Sequence, residues 1–129
     1  MRYLALITAR AGSKRIPQKN VRLLGGIPLI NYTIRALRGV SDRCDMIART
    51  TEWPMIMTIA LNAAHGIHPK GLIPIVRPDS LAADGAEHIA VLRHALCQLP
   101  ADAFDAIVTL HPTSPFRTAQ HLNDAMNMF

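Results

Sequence analysis

The sequence predicts an α/β fold, a doubly wound parallel sheet with helices on both faces. Three observations carry that expectation. Short apolar runs alternate with longer helical stretches along the chain. The segments between successive strands are long enough for the crossovers that parallel neighbours require. The first run, Tyr3 to Ile7, is apolar at nearly every position, as expected of a strand buried on both faces.

The elements follow in order. A first strand is expected over Tyr3–Thr8. A helix should run from about Pro28, a favourable first-turn residue, to Arg38, with Ile30, Ile34 and Leu37 as its apolar stripe. Asp45–Arg49 reads as a second strand, and Pro54–Ala64 as a helix of continuous apolar character ended by His65-Gly66. Ile73–Val76 is a short third strand between prolines. Ala86–Leu99 reads as a helix with Ile89, Leu92, Leu96 and Leu99 on one face and Pro100 as its stop. Ala106–Leu110 is the fourth strand. A last helix opens at Thr118, a suitable N-cap, and carries Leu122, Met126 and Phe129. No repeat or linker interrupts the series.

Composition bounds what such a domain does. The chain has 129 residues, half of them hydrophobic, and a net charge of +5. The charge is unevenly placed: residues 1–49 hold ten Arg and Lys against two Asp, and residues 50–129 hold four against seven acids. Basicity therefore belongs to the opening segment. Cys44 and Cys97 give no disulfide or metal framework, and reduced thiols in a cytoplasmic protein are expected. No apolar run reaches transmembrane length. His65 and His68 have no carboxylate or thiol beside them and read as a loop, not a metal pair. Neither a Gly-x-x-x-x-Gly-Lys-Ser/Thr loop nor a Gly-x-Gly-x-x-Gly turn is present.

The first strand empties into a loop with Gly12 and Ser13 set among Arg10, Lys14, Arg15 and Lys19. Glycine admits a close backbone approach, and crowded cations repel unless an anion sits among them. A solvated basic loop is one reading; a polyphosphate site is the other. Position favours the second. In the commonest doubly wound strand order, 3-2-1-4, ligands bind outside the carboxyl ends of strands 1 and 4. The loop after strand 4, His111-Pro112-Thr113-Ser114-Pro115-Phe116-Arg117, is also polar, so two polar loops meet on one crevice.

These residues carry a resemblance. Ala9 to Pro17, Lys19-Asn20, Pro28 to Ile30, Arg77-Pro78 with Leu81-Ala82, and Pro112 to Pro115 with Arg117-Thr118 come in the order found in cytidylyltransferases. The chain resembles the CMP-sialic acid synthetase (acylneuraminate cytidylyltransferase) group over nearly its whole length. The resemblance implies a Rossmann-like fold of the nucleotide-diphospho-sugar transferase type, and transfer of CMP from CTP to a nonulosonic acid with release of pyrophosphate. It implies Arg10 and Lys19 as catalytic residues that hold the triphosphate. Ala11, Gly12, Ser13, Lys14, Asn20 and Arg77 join them at the nucleotide, Asn20 at the ribose and Arg77 at the cytosine. His111, Thr113 and Ser114 are implied at the sugar. Magnesium is the implied cofactor, with no metal ligand expected in this chain.

The chain also departs from that pattern. His111 stands where Gln is usual, Thr51 where Asp is usual, and Glu87-His88 where small hydroxyl residues near the base are usual. Asp79 and Asp84 follow the third strand and are expected away from the triphosphate loop. The resemblance implies longer proteins, with paired metal-binding aspartates and dimer-forming residues in a further half. Phe129 ends the chain without a capping glycine. The expectation is thus one partial nucleotide-binding domain over 1–129, apparently truncated, with a homodimer where the further half is present. A truncated or degenerate CTP-binding or polyphosphate-binding module without catalysis is the alternative. Nucleic acid and membrane are not expected partners, since no aromatic is interleaved with the basic residues between Tyr3 and Tyr32.

Overall fold

The structure, a computed structural model, describes residues 1–13 and 15–129. Its strands and helices run β1 (Tyr3–Thr8), β2 (Leu23–Leu24), β3 (Ile27–Pro28), α1 (Leu29–Arg38), β4 (Met46–Thr51), α2 (Pro54–Ala63), β5 (Leu72–Val76), α3 (His88–Cys97), β6 (Ala106–Leu110) and α4 (Ala119–Met128). The main sheet has the order β5-β4-β1-β6, with every pair parallel. That is the expected doubly wound order. Each main-sheet strand after β1 is preceded by a helix and all four run parallel, so their carboxyl ends open on one side of the sheet.

β1 is central because it is apolar on both faces, and all six of its residues are buried. Period-2 alternation sends Tyr3, Ala5 and Ile7 to one face and Leu4 and Leu6 to the other. The first face packs against Ile30, Ile34 and Leu37 of α1, Ile56 and Ala60 of α2, and Leu122 and Met126 of α4. The second face packs against Ala95 and Leu92 of α3. Helices therefore cover both faces, three of the described helices on one and α3 on the other. β1 is no edge strand; β5 and β6 are the edges, and Pro74, which has no N–H for a ladder, sits on one of them.

Three local features differ from expectation. Gly25 and Gly26, at φ +58° and +80°, turn a two-residue hairpin that pairs Leu23 with Pro28 and Leu24 with Ile27. Both turn residues need positive φ, which is why two glycines stand there. In α3 the inward residues are Val91 and Ala95, while Ile89 and Leu96 are exposed. The small Ala95 lets the helix approach the sheet, and the larger apolar residues are displaced to its flank. In α4, Thr118 caps as expected: its Oγ1 accepts from the His121 amide at 3.3 Å, and the Thr118 amide donates to His121 Nδ1 at 3.1 Å. Phe129, however, lies exposed.

Gly39, just past α1, joins the two ends of the helical layer. A Cβ there would stand 2.5 Å from the Ala119 Cβ at the start of α4, although its φ of −72° suits any residue. Gly39→Ala should therefore destabilise the fold by about 1–2 kcal/mol through overpacking alone. Urea unfolding is the measurement; an unchanged midpoint would show that α4 yields freely.

Candidate functional site

A cavity of about 330 Å³ opens over the carboxyl ends of the strands. Thr8, Arg10, Gly12, Lys19 and Asn20 line it from the end of β1 and the loop that follows. The loop after β5 contributes Arg77 and Asp84, α3 contributes His88 and Val91, and the loop after β6 contributes His111 and Thr113. The two loops singled out from sequence therefore do share one crevice. From β5 to β6 the sheet spans three strand spacings, about 14 Å.

The β1 loop is held by its own side chains. Asn20, buried, donates from Nδ2 to the Arg10 carbonyl at 2.8 Å, closing the loop on itself. Gln18 precedes it at φ +53°, a left-handed position that turns the chain into the short 3-10 segment beginning at Lys19. Lys19 is half-buried at the cavity wall. Gly12 is exposed, and a Cβ on it would meet nothing within 4 Å, so the wall there is open backbone. Asn20 thus spends its amide on the loop while it lines the cavity.

Two carboxylates meet this loop. Arg10 donates from Nη1 to Asp84 Oδ1 at 2.6 Å and to the Ala82 carbonyl at 3.4 Å. Asp84 lies beside the basic loop, contrary to its sequence position after the third strand, because the segment after β5 folds back over the end of β1. The Ala11 amide donates to Glu52 Oε1 at 2.5 Å. Thr51, which stands where an Asp was expected, instead accepts from the Trp53 amide through Oγ1 at 3.2 Å; the next residue, Glu52, makes the reach to the loop.

Arg77 projects from the end of β5 and is buried. Its Nη2 donates to the Thr50 carbonyl at 3.2 Å, and its backbone amide donates to that of Thr51 at 2.9 Å. Burial lowers its pKa, Glu52 pulls the other way, and Arg10 lowers it further. The guanidinium stays charged regardless. His111 follows β6, with Nδ1 3.1 Å from Thr8 Oγ1 and its ring centroid 4.8 Å from that of His88. Burial lowers the His111 pKa, with smaller contributions from His88 and Arg117.

Of the residues expected from sequence, the cavity gathers Arg10, Gly12, Lys19, Asn20, Arg77, His111 and Thr113. Ala11 lies behind the wall on Glu52, and Ser13 and Ser114 are not among the lining residues. Lys14 lies outside the described residues. Thr8 and Asp84 were not expected at the cavity, and His88 was singled out only as a departure, with Glu87, from small hydroxyl residues near the base. Nothing local marks them, since each reaches the cavity by a contact across the fold.

A polar crevice with a basic loop, at the switch point of a parallel sheet with helices on both faces, defines a doubly wound α/β domain with its candidate ligand site at the strand carboxyl ends. The comparisons name its kind. The cytidylyltransferase family pattern matches residues 4–129, and the chain belongs to that family. It is 38% identical to the CMP-N,N'-diacetyllegionaminic acid synthase of Legionella pneumophila, over 99% of this chain and 53% of that protein. It is 32% identical to the N-acylneuraminate cytidylyltransferase of Escherichia coli, over 99% of this chain and 28% of that one. The pseudaminic acid cytidylyltransferase of Campylobacter jejuni is 31% identical, over 100% and 53%. The chain thus spans about half the length, or less, of these curated relatives. A solved structure of CMP:2-keto-3-deoxy-manno-octonic acid synthetase complexed with CTP shares the fold, with a TM-score of 0.74 at 18% identity, over 99% of this chain and 47% of that one.

Nucleotidyltransferases generally use a divalent metal. Among the described residues no three of His, Cys, Asp and Glu gather to hold one. Asp84 Oδ1 accepts from Arg10, and Glu52 Oε1 accepts from the Ala11 amide. No described helix is long and apolar enough to cross a membrane.

Proposed function

We propose that this domain binds CTP and serves transfer of CMP to a sialic-type nonulosonic acid, with pyrophosphate released. One observation carries the reading: Arg10, Lys19 and Arg77 line a single cavity whose wall at Gly12 is open backbone. The anomeric hydroxyl of the acid attacks the α-phosphorus and releases its proton to solvent, the bond to the β-phosphate breaks, and the leaving pyrophosphate carries the electrons. Such transfers depend chiefly on positioning and charge neutralisation. Lys19 and Arg10 supply the neutralising cations in this reading, and Lys14, in the sequence of the same segment, a further charge. The amides of Gly12 and Ser13 face the phosphates in this reading, and Ala11 anchors the same loop through its amide on Glu52. Asn20 stands at the ribose and Arg77 at the cytosine. His111, Thr113 and Ser114 stand at the sugar acid. Magnesium is the metal proposed, held by groups other than those described. A cytoplasmic location, a homodimer where the further half is present, and no nucleic acid or membrane partner complete the proposal.

Charge-assisted contacts of this kind should give CTP a dissociation constant of about 10–100 μM, and purine triphosphates a value at least tenfold weaker. Calorimetry decides it. A chain that is folded by circular dichroism yet binds no CTP, or binds ATP equally, removes the reading.

A further inference from the structure

The ladder between β1 and β4 ends with Thr8 beside Thr50, and one residue on, the Ala9 amide donates to the Thr50 carbonyl at 3.1 Å. In that parallel register the next rung would run from the Ala11 amide to the Glu52 main-chain carbonyl. The chain does something else. The Ala11 amide donates to Glu52 Oε1 at 2.5 Å, so a side chain replaces the carbonyl of its own residue. Beyond Glu52 the ladder has no donor to continue with, because Pro54 opens α2 and lacks an N–H. The loop therefore leaves the sheet at Ala11, and the Glu52 side chain sets how it leaves.

The other end of the same peptide unit is held as well, since the Arg10 carbonyl accepts from Asn20 Nδ2 at 2.8 Å. The Arg10–Ala11 peptide plane is thus pinned at both polar ends, between two residues, Arg10 and Gly12, that line the cavity. Glu52 is not among the lining residues. It is half-buried, and its Oε2 is buried with no hydrogen-bond partner among the described residues. An oxygen left so is costly, and nearby cations offset the cost. Arg77 feels the charge: burial lowers its pKa, and Glu52 raises it.

We propose that Glu52 is a positioning residue of the nucleotide site: by holding the Ala11 amide it fixes the Arg10–Ala11 peptide plane and so aims Arg10 and the Gly12 backbone at the triphosphate. This rests on the function proposed above and gives a role to a residue behind the cavity wall. A loop that is not held has more conformations to lose when a polyanion binds, and affinity falls by that entropy. The bond carries the effect and the charge does not, because a carboxylate beside a polyanion repels it. A neutral amide in the same place would hold Ala11 as well.

Three variants separate bond from charge. Glu52→Gln keeps an acceptor oxygen at the same reach and removes the charge. Glu52→Asp keeps the charge and shortens the reach, and Glu52→Ala removes both. Calorimetry with CTP and with inorganic triphosphate reads binding, and hydrogen exchange by NMR reads the Ala11 amide. Glu52→Gln should bind both ligands within about threefold of wild type and keep Ala11 protected. Glu52→Asp and Glu52→Ala should each bind both about tenfold more weakly, the loss expected for one hydrogen bond. Their Ala11 amide should exchange at least about tenfold faster while the β1 amides keep their protection, which places the loss in the loop and not in the fold. An Ala11 amide that exchanges no faster in Glu52→Ala overturns the proposal. Glu52→Asp matching wild type while Glu52→Gln matches Glu52→Ala assigns the effect to charge beside Arg77 and overturns it too. Failure of the wild type to prefer CTP over ATP sinks the proposed function instead, while inorganic triphosphate still reads the loop, so the two failures are distinguishable.

Discussion

Arg49→Met should make the protein more stable, by about 2 kcal/mol, which for a chain of this size raises Tm by about 5–10 °C. Arg49 is 1% exposed, on the face of β4 that also carries Ile47 and packs beneath the helices. Its guanidinium makes one long bond, Nη1 to the Leu72 carbonyl at 3.4 Å, while Nε and Nη2 have no partner among the described residues. Burial is the one cause of its lowered pKa; no carboxylate offsets it. Arginine cannot shed its proton at any usable pH, so the desolvation cost is constant across the stability range and gives no titration step. Methionine keeps the long apolar stem, fills irregular space and removes the charge. Arg49→Ala should fall the other way, since it leaves a cavity where the stem was. Denaturant melts with unchanged m-values would order the three as Met, Arg, Ala. A less stable methionine variant would mean that the bond to Leu72 holds β5 in the sheet and outweighs the buried charge.

Arg49 also shows where sequence reading stops. As one of ten basic residues in the opening segment it counts toward a basic surface, and its place at the end of an expected strand says nothing of depth. The extension of β4 to Thr51, with all six residues buried, is decided by β1 and β5 on either side. Elements whose causes are local were legible: the apolar run of β1, the proline opening of α2, the Thr118 cap. The hairpin at Gly25-Gly26 had a local signal too, two glycines between short apolar pairs, and it went unread. The site divides the same way. The loops after β1 and β6 were legible because chemistry and strand order point to one crevice. Arg10 with Asp84, and His88 with His111, join residues 74 and 23 positions apart through the return of the segment after β5 and the start of α3. No periodicity records such a return. Glu52 is intermediate: an acid was expected near that place in the chain, and the structure moves its work along by one residue.

Lys19→Ala should weaken CTP binding about 10–100-fold, and Lys70→Ala should leave it unchanged, since a charge-assisted contact is worth about 1.5–3 kcal/mol and a lone exposed lysine close to nothing. The two lysines separate local from diffuse electrostatics. Lys19 is half-buried at the cavity wall, behind the left-handed turn at Gln18 and against the Asn20 clamp on Arg10. Its stem therefore leaves a backbone turn that is fixed at the cavity wall. Lys70 carries the same charge in an exposed loop closed by its amide on His68 Nδ1 at 3.1 Å, and it is not among the cavity residues. Long-range attraction falls off over a Debye length of about 8 Å at physiological salt, so Lys70 contributes at most to the encounter rate. Raising salt should weaken the wild type more than Lys19→Ala, because the variant has already lost the contact that salt screens. Titration calorimetry of both variants at two salt concentrations is the measurement. Equal losses for the two lysines would show that the basic opening segment attracts nucleotide only through its net charge, and that Lys19 has no place at the triphosphate.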